Sequence, residues 1–148
     1  MSRDPIPTWY FALMVVRRGD QFLLVQEHKH GQRWYLPAGR VEAGELLLEG
    51  ALRETREEAG IDVRATGIYR IEHTPQGDFA RVRVIFGAEP LADELPKQEP
   101  DEHSLKAGWF SLGEAAALPL RGREVLLLLS EALTGAPLYP LSLLGIEG

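Results

Sequence analysis

Apolar residues along the chain are grouped with two different periods. Thr8–Val16 (TWYFALMVV) and Gln21–Gln26 (QFLLVQ) are apolar, aromatic-rich runs separated by Arg17–Asp20, where Gly19 and Asp20 supply turn chemistry, so a β-hairpin is predicted. A polar loop, His28–Arg33, leads to Trp34–Leu36, a short strand ended by Pro37, which has no N–H to give to a ladder. From Glu45 to Ala59 the period changes: Leu47, Leu48, Ala51, Leu52 and Ala59 recur at helical spacing, with charged residues on the other side. Gly60 stands where a left-handed residue closes a helix, so an amphipathic helix ends there.

Two extended segments follow, Val63–Thr74 and Ala80–Ala88, with Pro75–Asp78 (PQGD) read as the turn between them. In the second, Ala80, Val82, Val84 and Phe86 alternate with Arg81, Arg83 and Ile85. Pro90–Pro100 reads as a Pro- and acid-rich surface loop, and Lys106–Phe110 as a strand. Ser111-Leu112-Gly113-Glu114 has the capping-box pattern and opens a short helix that Pro119 terminates. A last helix is predicted over Arg123–Leu133, closed by Gly135, and the tail beyond it has no clear period.

A length of 148 residues is enough for one domain with a sizeable core, and a single domain over residues 1–148 is expected. A formal charge of −6 argues against a nucleic-acid polymer as partner, while leaving small phosphorylated ligands open if a cation reverses the local sign. With no cysteine, disulfides, thiolate metal sites and a cysteine nucleophile are excluded, and a reducing, cytoplasmic location is the expectation. The N-terminal stretch MSRDPIPTWYFALMVVRR shows no cleavable signal pattern, and no apolar run approaches the roughly 20 residues of a membrane helix.

The chemistry is concentrated in GRVEAGELLLEGALRETREEAGI, Gly39–Ile61, which places Glu54, Glu57 and Glu58 within two helical turns. Like charges at i,i+3 and i,i+4 repel, and they sit near the helix C-terminus, where the macrodipole already disfavours them. Arg53 and Arg56 offer partial relief. A solvated helix face is the ordinary reading of such a cluster. The glycine-containing loop Gly39–Gly44 at the helix entrance favours another, a shared oxygen-coordinated cation such as magnesium, which uses few carboxylates plus water and substrate phosphate.

The order Gly39, five residues, Glu45, seven residues, Arg53-Glu54-Thr55-Arg56-Glu57-Glu58, then Ala59-Gly60-Ile61 resembles the Nudix box, the signature of the Nudix hydrolases. Thr55 departs from the aliphatic residue of that pattern. It should face the core and bond back to a helical carbonyl. The resemblance implies an α+β fold in which a mixed central sheet lies between helices and the box forms a loop–helix–loop. It also implies magnesium, with manganese able to substitute, held by Glu57 and Glu58 with the Gly39 carbonyl and Glu54 close by. Glu54 is then also a candidate base, Arg53 its orienting partner, and Glu45 a partner of Arg53 or a contact to a second ion through water. Of Glu99, Asp101 and Glu102 on a distal loop, Glu102 is favoured as a further ligand.

The implied reaction is attack of water on a diphosphate linkage of a nucleoside di- or triphosphate or related nucleotide, releasing the monophosphate. WYLPAGRVEAGE, DEHSLKAGWF and LPLRGREVLLLL are similar to the branch that cleaves oxidised guanine nucleoside diphosphates. A nucleotide-binding module of the same fold without catalysis is the alternative, and it should show substitutions in the arginine–glutamate run, which is intact. Phe11, Trp34 and Tyr35 are candidates for base stacking, with core packing as the commoner role of strand aromatics. Arg81 and Arg83 share a strand face and are candidates for phosphate contact, although a solvent-facing pair is the more ordinary arrangement. His28 and His30 read as solvated, and His73 and His103 are unassigned. A homodimer is an expectation at family level.

Overall fold

The computed structural model describes residues 3–148, so Met1 and Ser2 of the N-terminal stretch lie outside the described residues. Ten regular elements follow in order: β1 (Thr8–Arg18), β2 (Gln21–Gln26), β3 (Trp34–Tyr35), β4 (Ala38–Arg40), α1 (Leu47–Ala59), β5 (Val63–Gln76), β6 (Phe79–Pro90), β7 (Lys106–Ser111), α2 (Leu112–Ala116) and α3 (Glu124–Leu133). Single 3-10 turns add His30–Gln32 and Leu141–Leu143.

The sheet is mixed. Strand β1 runs parallel to β6, Thr8 opposite Ala80 through Val16 opposite Ala88, and antiparallel to β4 on its other side. Strand β6 pairs antiparallel with β5, while β2 carries β3 and β7. The predicted hairpin of β1 and β2 is present, yet the two strands pair only at Arg17–Phe22 and Arg18–Gln21 before they diverge. The reason lies in the run ALMVV. Ala12–Val16 are all buried, so β1 is covered on both faces and is the central strand rather than one arm of a ribbon.

The even residues Ala12, Met14 and Val16 face α1 and pack with Ala51 and Ala59, whereas Leu13 and Val15 face α3 and pack with Val125, Leu128 and Leu129. The sheet is thus held between helices. Several predicted boundaries move. Pairing of Pro75 with Ala80 and Gln76 with Phe79 carries β5 past the expected turn, which tightens to Gly77–Asp78 with Gly77 at φ 75°. The glycine-containing loop begins as strand β4, and α1 starts at Leu47 rather than Glu45 because Glu45 is used in the preceding turn, where its Oε1 accepts the Glu42 N–H at 3.0 Å.

The predicted capping box at α2 is complete: Ser111 Oγ accepts from the Glu114 amide at 3.1 Å and Glu114 Oε1 from the Ser111 amide at 2.9 Å. The tail, without a readable period, exchanges two 2.8 Å hydrogen bonds between Ile68 and Tyr139. Gly67 makes this approach feasible, since a Cβ there would stand 2.7 Å from the Tyr139 carbonyl oxygen. No helix among the described residues is long and apolar enough to cross a membrane.

Candidate active site

Helix α1 presents its acidic ridge around one arginine. Arg53 forks onto Glu45, with Nε to Oε2 at 2.7 Å and Nη2 to Oε1 at 3.0 Å, a geometry that only a guanidinium provides. Its Nη1 donates to Glu54 Oε1 at 2.9 Å and to Glu57 Oε2 at 3.1 Å, and Nη2 reaches the Arg40 carbonyl at 3.2 Å. Arg56 takes no part; it pairs with Asp62 at 2.8 Å. Thr55, wholly buried on the opposite side of the helix, donates to the Ala51 carbonyl at 2.8 Å, the back-bond expected of it.

The C-terminal end of α1, whose own Arg56 is turned to Asp62, receives a cation from a distant loop. Lys97 Nζ donates to the Glu57 carbonyl at 2.6 Å and Ser104 Oγ to the Glu58 carbonyl at 2.6 Å, so the loop after β6 caps the helix beneath the carboxylates. Lys97 also holds Asp101 at 2.7 Å, which keeps that carboxyl down at about 2. Asp101 is therefore engaged in shaping the loop. Glu102, the favoured distal ligand, is 85% exposed and touches His103 at 3.4 Å, and the other ring nitrogen of His103 lies 3.7 Å from Glu57 Oε2. One imidazole separates Glu102 from the ridge.

Burial pushes the Glu58 carboxyl up to about 8, against the single Ala38 N–H that donates to it at 2.8 Å; Glu54 and Glu27 nearby push the same way. Burial raises Glu54 as well, although Arg53 opposes it. Glu45 is instead held below its ordinary value by its hydrogen bonds from Arg53. Buried carboxyls that repel one another, with oxygen donors only, fit a hard divalent cation. Among the described residues no group of three or more acidic or histidine side chains is placed to hold an ion as the chain stands.

A pH dependence follows. Between its ordinary value of 4.5 and about 8, Glu58 is protonated in the folded chain and ionised in the unfolded one, so stability without divalent ions falls as pH rises through that window. A cation requires the ionised form and releases the proton. Thermal unfolding in EDTA should therefore lose stability from pH 5 to pH 8, magnesium should restore most at the upper end, and Glu58→Gln should flatten the slope. A slope unchanged by Glu58→Gln would refute this.

The register of β4 bears on one expectation. Met14 donates to the Pro37 carbonyl at 2.9 Å and Val41 to the Tyr10 carbonyl at 2.8 Å, and alternation along the ladder makes Ala12–Gly39 the bonded pair between them. The Gly39 carbonyl, expected as a metal ligand, thus accepts from β1. The free edge is offered by Ala38, whose N–H already meets Glu58. Gly39 has a different role, since a Cβ there would overlap the Glu54 carboxyl group.

On the other face of β4 lies a pocket of about 140 Å³ bounded by Phe11, Tyr35, Gly39, Arg81, Arg83 and Arg121. Arg81 and Arg83 are not a solvent-facing pair. The Arg81 guanidinium carbon stands 4.7 Å from the Phe11 ring centre, and Arg83 donates to Glu72 at 2.7 Å and to the Tyr35 hydroxyl oxygen at 3.3 Å. Tyr35 in turn donates to Glu124 at 2.9 Å, and burial raises its hydroxyl. Trp34, a stacking candidate, belongs to the core: it is 7% exposed and meets Phe110 edge-on at 5.0 Å. Two residues, Arg121 of the pocket and its partner Glu27 beside it, escaped sequence reasoning. Arg121 lies 4.6 Å over the Tyr35 ring and donates to Glu27 Oε2 at 2.9 Å, and Glu27 Oε1 is buried without a partner among the described residues. A glutamate directly after an apolar strand was the signal available.

The family model of the NUDIX domain matches residues 8–129. The chain belongs to the Nudix hydrolase family. Among curated relatives, this Nudix chain is 41% identical over 117 residues to the 8-oxo-dGDP phosphatase NUDT18 of Danio rerio, covering 77% of the chain and 34% of the relative. It is 36% identical over 129 residues to the putative nudix hydrolase 1 of Caenorhabditis elegans, covering 83% and 34%. The chain spans about a third of the length of these relatives. A solved NUDIX hydrolase of Nitrosomonas europaea superposes with a TM-score of 0.79 at 25% identity, over 95% of this chain and 97% of that one.

Proposed function

We propose that this Nudix domain hydrolyses nucleoside di- or triphosphates in a magnesium-dependent reaction, with an oxidised guanine nucleotide as leading substrate, releasing the nucleoside monophosphate. The observation that carries the reading is the convergence at one edge strand. Glu54 and Glu57 lie around Arg53 on one side of β4, where the Ala38 amide holds Glu58, and an aromatic–arginine pocket opens on the other. A diphosphate passing over the free edge of β4 would reach the carboxylates while its base occupied the pocket. The likeness to an 8-oxo-dGDP phosphatase supports the choice of base.

Glu57, Glu58 and the Ala38 carbonyl are proposed to hold the ion, with Glu102 approaching through the distal loop. When bound, the ion neutralises phosphate charge and lowers the pKa of water. Glu54 takes the proton of the attacking water; the new P–O bond forms as the bridging P–O bond breaks, and the departing phosphate keeps the bridging oxygen. Arg53 and Glu45 fix Glu54 in place and are positioning residues. In the pocket, Arg81 and Arg83 offer donors to base or phosphate oxygens, and Phe11, half-buried at the pocket wall, offers ring surface.

The test is a panel of guanine and 8-oxoguanine nucleoside di- and triphosphates, sugar nucleotides and dinucleotides, with magnesium or EDTA. Expected is release of monophosphate, with phosphate from diphosphates and pyrophosphate from triphosphates, abolished by EDTA. Silence across the panel alongside tight binding of one ligand would favour the non-catalytic module.

A further inference from the structure

Strand β5 ends the sheet: β6 pairs with one of its edges, and the other faces outward. The ladder shows which backbone groups that edge presents. The Ala80 N–H donates to the Pro7 carbonyl at 2.9 Å, on the β1 side of β6, so Ala80 and, by alternation, Val82 and Val84 point away from β5. Their partners Pro75, His73 and Ile71 therefore direct their backbone groups outward. Pro75 has no N–H to offer, and at the other end Ile68 exchanges its outward pair with Tyr139. Between these stops, Ile71 and His73 have no backbone partner on the outer side among the described residues.

The open stretch is apolar on one face and charged on the other. Ile71, opposite Val84 on the α1 face, is 52% exposed, and with Ile68, Tyr139 and Leu143 it borders a shallow depression of about 370 Å³. Tyr139 and Leu143 are exposed as well, so this rim gathers large apolar side chains that the single chain leaves in water. On the α3 face, Arg70 lies opposite Ile85 and Glu72 opposite Arg83. Glu72 accepts from Arg83 and from Arg70, each at 2.7 Å, and the Arg70 side chain is 56% exposed. A guanidinium and a carboxylate thus flank Ile71, one on each side along the strand.

We infer that the outer edge of β5 pairs antiparallel with the same edge of a second copy of this chain, about a two-fold axis through Ile71. A two-fold axis normal to the sheet keeps every side chain on its own face, so it passes through a residue and not between two. Through Arg70 it would bring Glu72 of the second copy against Ile68, whose edge Tyr139 already holds. Through Glu72 it would set two carboxylates directly opposite each other, and through His73 it would set Ile71 against Pro75, which cannot return a hydrogen bond. Through Ile71, the two isoleucines face each other in a bonded pair, and each Arg70 faces Glu72 of the second copy. Both cross-strand ion pairs arise from one symmetry operation, and the apolar rims of the two copies flank the axis.

Sedimentation velocity over a concentration series should show reversible association to twice the mass of the chain. Ile71→Lys, which opposes two ammonium groups on the axis, should leave only monomer while keeping the melting curve of the monomeric fold, since Ile71 is exposed in the single chain. Arg70→Glu should weaken the dimer about tenfold or more, because two attractive pairs become two repulsive ones. The chain has no cysteine, which permits a test of register. Ile71→Cys places two thiols across a bonded pair about 5.5 Å apart at Cα, within the span of a disulfide, whereas His73→Cys places them about 13 Å apart along the strands, beyond it. In a glutathione redox buffer the first variant should become a covalent dimer and the second should not. Monomer at every concentration, a dimer indifferent to Ile71→Lys and Arg70→Glu, or cross-linking at position 73 in preference to 71 would overturn the interface. None of these readouts involves nucleotide turnover, so the interface and the proposed reaction stand or fall separately.

Discussion

Glu54→Gln should lower turnover of the best nucleotide by about 10²–10⁴-fold, the usual contribution of a positioned base, without weakening the fold. An amide keeps the length of the side chain and its oxygen can still accept from Arg53, so the close seat against Gly39 is preserved. Only the proton acceptor is lost. Burial raises the Glu54 carboxyl, which means that ionising it in the folded chain costs stability, and a neutral amide relieves that cost when no cation is bound. Melting in EDTA at pH 8 should therefore be unchanged or higher for the variant while kcat collapses. Extra magnesium should not restore the rate. Turnover within tenfold of the parent chain would remove Glu54 from the proposed reaction, and recovery at high magnesium would make it chiefly an ion ligand.

What could be read from residues alone follows the range of the interactions involved. The helix, its left-handed Gly60 and the Thr55 back-bond depend on neighbours within one turn, and periodicity reports them directly. Register does not work that way. Nothing local states that β1 lies parallel to β6, so Arg81 and Arg83 looked solvent-facing until Phe11, Tyr35 and Glu72 were brought against them. Lys97 reaches the end of α1 from 40 residues away, and Arg121 reaches Glu27 across 94. Which of the Gly39 and Ala38 carbonyls faces away from β1 is likewise decided by a ladder pairing that no local pattern states. Trp34 was ambiguous in kind, since a strand aromatic serves core and ligand equally well until its neighbours are known.

Arg53→Ala should be the most damaging single change to the fold of the site. The guanidinium is the shared cation of Glu45, Glu54 and Glu57, and the Glu45 and Glu54 side chains are only 14% and 16% exposed. Removing it leaves carboxylates without a partner in a poorly solvated place, a change worth about 3–5 kcal/mol for buried pairs. Arg53 itself is 24% exposed, so water offsets part of the loss and the lower end, about 3 kcal/mol, is expected. In a domain of this size that lowers the melting temperature by about 6–12 °C in EDTA. Magnesium should recover a larger share of stability in Arg53→Ala than it adds to the parent chain, because the ion then supplies the missing charge. Arg53→Lys should separate charge from geometry: an ammonium cannot fork onto Glu45 while meeting Glu54, so melting should be largely kept and kcat should not. Differential scanning calorimetry with and without magnesium, beside kcat and KM for the three proteins, checks each step. If Arg53→Ala melted within 1–2 °C of the parent chain, the ridge would be solvated and Arg53 would not be the residue that holds it together.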